Sequence, residues 1–164
     1  MRFSATYLRY RLRYSRQTGV FTWRVSRSNK LKEGDVAGHL HSHGYVHIQI
    51  DSKIYKAHRL AWLYVTGKWP KKDVEHKNTN KADNKWRNLR LANDSQNQAN
   101  SRRRKDNTTG LKSVCYRKDC GKWRARLQVR GVRLCLGNFT SAKLAHAAYI
   151  AAAKKHFGEF ARAH

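Results

Sequence analysis

A carboxylate, a histidine and a series of asparagines fall together in the stretch VEHKNTNKADNKWRNLRLANDSQNQAN, residues 74 to 100. Their types and spacing suit hydrolysis of a phosphodiester. That reaction needs an activated water, an acid or a metal to stabilise the leaving 3′ oxygen, and counter-charge for the pentacoordinate phosphate. A neutral imidazole takes a proton from water effectively, because its unperturbed pKa of about 6.5 lies close to working pH. His76 is the candidate base. One hard divalent ion, Mg2+ or Mn2+, held by a carboxylate and an amide oxygen, would bind a non-bridging phosphate oxygen and the leaving oxygen, with water completing the octahedron. Glu75 and Asn97 are the candidate ligands. A second asparagine in the intervening segment could pin the loop and fix the imidazole's orientation through its own hydrogen bonds. The plain alternative is an asparagine-rich turn between a strand and a helix, with His76 satisfied locally.

These groups need elements to hold them. Glu75 and His76 are expected at the end of a short strand, Asn88 at the opening of the segment NLRLA, and Asn97 near the start of a helix. Upstream, AHRLAWLYVTGKWP carries Leu60, Leu63 and Tyr64 at helical spacing, with Gly67 as a C-terminal stop and Pro70 beyond it. Residues 1–50 read as a small α/β lead-in that supports this module. SATYLRYRLRY has Leu8 and Leu12 four apart after Ser4, as a short capped helix would, and QTG turns the chain into VFTWRV. GYVHIQID alternates apolar and polar residues as a half-buried strand does, and a turn at Asp51-Ser52 leads to KIYK as its hairpin partner. His39, His41, His43 and His47 recur at odd positions and could share one strand face, which allows a zinc reading, although polar loop histidines fit the missing cysteines and Gly44 better.

Composition points to the substrate independently. The chain has 36 Lys plus Arg against 10 Asp plus Glu in 164 residues, a formal charge of +26. Basic residues interleaved with five Trp, eight Tyr and five Phe fit nucleic acid, since phosphate neutralisation supplies affinity and rings pack on sugars and bases. The scarcity of acids argues against a centre of two metals. No small-molecule substrate is implied. Apolar tracts such as AWLYV fall far short of the ~20 residues needed to span a bilayer, and no signal peptide is visible. Three cysteines, an odd count, suit a reducing cytoplasm and free thiols, with metal binding or oxidation as the lesser reading.

Residues 44–100, with His58-Arg59-Leu60, GKWP and the stretch around Glu75, His76, Asn88 and Asn97, resemble the HNH endonucleases, in particular the phage and intron homing type. The resemblance implies two short strands, a loop and a helix around one metal, the ββα-metal arrangement. It implies His76 and Asn88 as the catalytic pair, Asn88 matching the family's central asparagine with Asn84 as a weaker helper, and Glu75 with Asn97 as the metal ligands. The family usually has Asp where this chain has Glu75, a change that falls on a ligand. Glutamate keeps the charge and adds a methylene, and Mg2+ tolerates poor geometry badly. Arg59, Arg87 and Arg90 are candidate phosphate contacts, with surface salt bridging as the alternative. His58 could touch a phosphate or orient the site, or be structural.

After a basic linker, SRRRKDNTT, the segment GLKSVCYRKDCGKWRARLQVRGVRLCLGNF reads as three strands with bends at Gly121 and Arg130-Gly131. In its middle strand Trp123, Ala125, Leu127 and Val129 would face one way and Arg124, Arg126 and Gln128 the other. TSAKLAHAAYIAAAKKHFGEF follows as a helix capped by Thr140 and ended near Gly158. A basic sheet face of this width can enter the major groove. GKW, LGNF, the alanine-rich AAYIAAA and the closing FGEFA make residues 108–162 resemble the APETALA/ethylene-response-factor type of DNA-binding domain. On that resemblance Lys112, Arg117 and Arg133 occupy DNA-contacting positions, while Arg126 and Gln128 stand where the plant proteins usually have Glu and Arg. Cys115, Cys120 and Cys135 replace an arginine and two tryptophans, so the plant target sequence does not carry over.

The expected architecture is therefore α+β: a lead-in over 1–50, an HNH nuclease module over 51–101, a linker over 102–109, and over 110–164 a three-stranded antiparallel sheet packed on one helix. Two functions follow. One is a monomeric, cytoplasmic endonuclease of double-stranded DNA, in a bacterial or phage-infected cell, that uses one divalent ion and grips DNA with the C-terminal sheet. The other is a DNA-binding protein or regulator whose nuclease module is weakened or inactive through Glu75.

Overall fold

The structure is a computed structural model that describes residues 3–26, 31–103 and 106–162; Arg104 and Lys105 of the basic linker lie outside them. Helices and small sheets alternate along the chain, and the contacts divide it into two units, Met1–Leu91 and Ala92–His164.

The first unit begins with helix α1 (Ala5–Arg11), whose N-terminus is closed by the Ser4 side chain accepting from the Tyr7 amide at 3.1 Å. The expected helical run stops there. Leu12–Tyr14 forms strand β1, with Leu12 and Tyr14 buried on either side of exposed Arg13, and pairs antiparallel with β2 (Phe21–Trp23). The period of two wins because both apolar side chains then enter the core beside Phe21 and Trp23. Strands β3 (His39–Leu40), β4 (Val46–Ile50) and β5 (Lys53–Lys56) make an antiparallel sheet in the order β3-β4-β5. Asp51 and Ser52 turn β4 into β5, both with positive φ, as a two-residue hairpin connection demands. Helix α2 (Ala57–Thr66) follows without a break and ends at Gly67, whose left-handed φ of 76° lets its amide bond the Leu63 carbonyl. Strand β6 (Asp73–His76) then pairs with β7 (Leu89–Ala92), which is entered through a short 3-10 turn, Trp86–Asn88.

One core serves this unit. Leu8, Leu12, Phe21 and Trp23 of the lead-in bury against Ile48, Ile50, Leu60, Leu63, Val74 and Leu89. The lead-in and the strand carrying Glu75 and His76 share this core.

The second unit opens with α3 (Asp94–Asn100), closed at its start by a capping box in which Asn93 accepts from the Gln96 amide and Gln96 accepts from the Asn93 amide. Strands β8 (Val114–Arg117), β9 (Lys122–Val129) and β10 (Val132–Phe139) form an antiparallel sheet in the order β10-β9-β8, with a bulge between Cys135 and Gly137. Helix α4 (Ala142–Phe157) is capped by Ser141, one residue later than the expected Thr140, because the Ser141 hydroxyl accepts from the Leu144 amide. Ala145, Tyr149, Ala153 and Phe157 of α4 bury with Val114, Ala125 and Leu127. Among the described residues no helix is long and apolar enough to cross a membrane.

Candidate active site

Strand β6 delivers Glu75 and His76 as neighbours, and successive strand residues point to opposite faces. Both are buried at about 5% exposure, and the two side chains meet different partners. The Glu75 carboxylate accepts from Arg90 Nε on β7 at 2.5 Å, a pair whose side chains keep only 4% and 10% of their surface. His76 lies beside His58, with ring centroids 5.0 Å apart and edge to face, and within 6.2 Å of the Tyr45 ring.

His76 Nε2 is 3.1 Å from Asn84 Oδ1. The Asn84 amide nitrogen donates to the Ala82 carbonyl at 3.2 Å, which fixes Oδ1 as the atom facing the ring. An amide oxygen only accepts, so the imidazole carries its proton on Nε2 and its lone pair on Nδ1. Burial lowers the His76 pKa, opposed in part by the Asn84 bond and the charge of Asp83. The ring is therefore neutral near pH 7, the state a general base requires.

The loop between β6 and β7 is knitted by its own asparagines. Asn88 Oδ1 accepts from the Asn78 amide at 3.0 Å, and its Nδ2 donates to Asn78 Oδ1 at 3.0 Å and to the Asp83 carbonyl at 2.7 Å. Asn78 in turn donates to Asp83 Oδ2, and Asn80 accepts from the Ala82 amide. Asn88 thus pins the loop while Asn84 holds the imidazole. The resemblance makes Asn84 only a weaker helper to Asn88, and the one sequence signal for its part is its place eight residues after His76.

The lead-in buttresses the same spot. Tyr14 Oη donates to the Asn84 carbonyl at 2.6 Å, and the Trp86 amide donates to the Arg16 carbonyl at 3.0 Å. Gly19, at φ +77°, packs so closely that a Cβ there would sit 2.4 Å from Lys85 N and 2.5 Å from the Asn84 carbonyl carbon. Residues 1–50 are expected to support this module, and nothing in their sequence pattern singles out Tyr14, Arg16 or Gly19 for that role.

His58 is 4% exposed, and its Nδ1 is sealed from solvent without a hydrogen-bond partner. Burial, then the neighbouring His76, Lys56 and Arg59, push its pKa down to about 3, so it too is neutral. Arg59 donates to the Pro70 carbonyl at 3.2 Å, Arg90 is held by Glu75, and Arg87 is exposed. His39 faces His47 across β3 and β4, His41 stacks on His47 at 4.5 Å, and His41 Nδ1 meets His43 Nδ1 at 3.0 Å. Among the described residues, however, no group of three or more His, Cys, Asp or Glu is placed to hold a metal ion.

In the second unit Asn97 is an exposed residue of α3, lining a shallow groove with Asp94, Gln98 and Ser101. The register puts Arg124, Arg126 and Gln128 of β9 on one face with Arg117 of β8 and Arg133 of β10. Arg126, Gln128 and Arg133 are exposed, Arg124 Nε donates to Asn138 Oδ1 at 3.1 Å, and Arg117 forms a two-bond pair with Asp119. Lys112 is spent locally: its Nζ donates to the carbonyls of Ala99 at 2.6 Å and Ser101 at 2.7 Å, and burial lowers its pKa to about 8. The cysteines are free thiols.

In comparison with known families, residues 55–99 fit the family described as HNH endonuclease. That segment runs from β5 into α3 and contains Glu75, His76, Asn84, Asn88 and Asn97. The match suggests nuclease activity with DNA as the substrate, and enzymes of this family generally depend on a divalent metal. No curated protein and no solved structure matches the chain.

Proposed function

We propose that the protein is an endonuclease that hydrolyses phosphodiester bonds in double-stranded DNA, with His76 as the general base. The observation that carries this reading is the His76–Asn84 bond inside the segment that fits the HNH family. With Nε2 protonated and committed to Asn84, Nδ1 is the atom that takes a proton from water. The water oxygen bonds to phosphorus as the bond from phosphorus to the 3′ oxygen breaks, and the departing 3′ oxygen takes a proton from solvent. Asn88 contributes by holding the loop shut around this geometry. Exposed Arg87 is the residue best placed to meet a phosphate, since Arg59 and Arg90 already serve protein oxygens.

The Mg2+ or Mn2+ implied by the family does not fit Glu75 as that side chain is held. Its Oε1 accepts from a guanidinium, the side chain is shielded from solvent, and the positive charge a cation would bring is already present beside it. Asn97, the second ligand that the family resemblance implies, is an exposed residue of α3.

The basic face of the β10-β9-β8 sheet supports the second part of the reading, that Arg124, Arg126, Gln128 and Arg133 grip the DNA and select its sequence, with Arg117 at the margin. One strand cut per engagement by a monomer is the corresponding mode.

The Glu75–Arg90 pair favours one second reading, a DNA-binding protein whose nuclease module is shut. Incubation with supercoiled plasmid in Mg2+ or Mn2+ separates the two. The endonuclease reading expects conversion to the nicked form. Tight binding without nicking, rescued by Glu75→Asp, supports the second.

A further inference from the structure

We propose that Tyr14 is a positioning residue for His76, acting through Asn84, and that the turn between β1 and β2 is an integral part of the active site although it lies outside the segment that fits the nuclease family. The inference rests on the reading of His76 as the base.

Three contacts carry it. The Tyr14 hydroxyl donates to the Asn84 carbonyl at 2.6 Å in a buried setting. The Arg16 carbonyl accepts from the Trp86 amide at 3.0 Å, two residues further on. Gly19 presses its bare Cα against the peptide joining Asn84 to Lys85, at an approach no side chain would permit. Together they fix the backbone of residues 84–86 from outside the loop. Asn84 is 2% exposed, so its side chain has little freedom once its backbone is set. The side-chain oxygen of that residue is the acceptor that holds His76 Nε2–H.

The consequence is specific. An imidazole has two tautomers, and the hydrogen bond made by one nitrogen decides which atom carries the lone pair. If the Asn84 backbone relaxes, Oδ1 leaves its place, the proton can move to Nδ1, and the base faces the reacting water with the wrong atom. Tyr14 therefore governs the chemical step without touching substrate. DNA binding, which is carried by other surfaces, should hardly change.

Tyr14→Phe is the informative variant, because the ring keeps its stacking on Phe21 at 4.7 Å and its edge contact with Tyr64 at 5.7 Å. Two readouts are taken on the full chain: steady-state cleavage of plasmid DNA, and the side-chain 15N spectrum of His76, which distinguishes the tautomers without any turnover. Expected for Tyr14→Phe are a kcat lower by about ten-fold, the size of one lost hydrogen bond, a KM within about two-fold, and loss of the pure Nε2–H pattern. Asn84→Ala should show the same pattern more strongly, and adding Tyr14→Phe to it should cost little more. Removing the hydroxyl of exposed Tyr10 is the control and should change neither readout. An unaltered His76 spectrum in folded Tyr14→Phe overturns the proposal, as does a loss of stability with kcat and spectrum both intact. Should the native chain not cleave at all, the endonuclease reading fails on its own, and the spectrum still decides the link from Tyr14 to His76.

Discussion

Arg90 Nε lies 2.5 Å from Glu75 Oε1, across the two strands that frame the loop between β6 and β7. This ion pair is almost fully buried, at 10% and 4% exposure, so each charge depends on the other. Removing one partner of such a pair leaves an uncompensated charge in low dielectric, at a cost of about 3–5 kcal/mol. Arg90→Ala should accordingly lower the unfolding free energy by about 3 kcal/mol in urea titrations, and Arg90→Met combined with Glu75→Gln should recover much of it. A single substitution that costs nothing would mean the pair is open to water.

Gly19→Ala should be among the most damaging small changes in the chain. The new methyl meets backbone atoms of Asn84 and Lys85 rather than a flexible side chain, and φ +77° disfavours any Cβ. A loss of about 2 kcal/mol or more is expected in thermal unfolding, with cleavage reduced beyond what the fraction folded explains.

His58 makes stability depend on acidity. Its folded pKa, about 3, lies below the unfolded value of about 6.5, so the unfolded chain binds the proton more readily. The neutral ring's contribution is complete above pH 6.5 and is lost as pH falls from there towards about 3, by up to ~1.4 kcal/mol per pH unit. His76, also lowered by burial, acts in the same direction. Urea titrations between pH 7 and 4 should show His58→Gln with a distinctly shallower decline than the native chain. Equal slopes would contradict the buried neutral state.

On the second unit, Arg126→Ala and Arg133→Ala should weaken DNA binding while leaving turnover at saturating DNA within about two-fold, because both residues sit on the exposed sheet face. Binding of the native chain should fall by ~10-fold or more between about 50 and about 200 mM salt, through counterion release. A flat salt response in a fluorescence titration, or an equal loss of the chemical step, would contradict a phosphate-gripping role.

Much of the site was legible because it is local. Glu75 and His76 at a strand end, Asn88 at the entry to the next strand and Asn97 on a helix follow from short-range pattern, and so do the Ser4 cap, the Asp51-Ser52 turn and the alternation along β9. What escaped is set by pairing between distant segments. Glu75 meets Arg90 only because of how β6 and β7 pair, a partner fifteen residues on that local pattern does not indicate. Asn84 owes its place to Tyr14 and Gly19, some seventy residues earlier by the Tyr14 bond. Lys112 matches a DNA-contacting position by resemblance, yet its amine bonds the Ala99 carbonyl of α3 and the carbonyl of Ser101 just beyond that helix. Leu12 and Tyr14 fit a helix locally and become a strand because β2 offers a partner and the core accepts both side chains.

The most direct test of the account is the single-turnover rate of DNA cleavage by His76→Ala, measured at saturating enzyme beside the native chain. A base that transfers the proton in the chemical step predicts a fall of about 100-fold or more, with DNA affinity unchanged. A rate within a few-fold of native would contradict the role assigned to His76, and with it the reading of the loop that Asn84 and Asn88 hold in place.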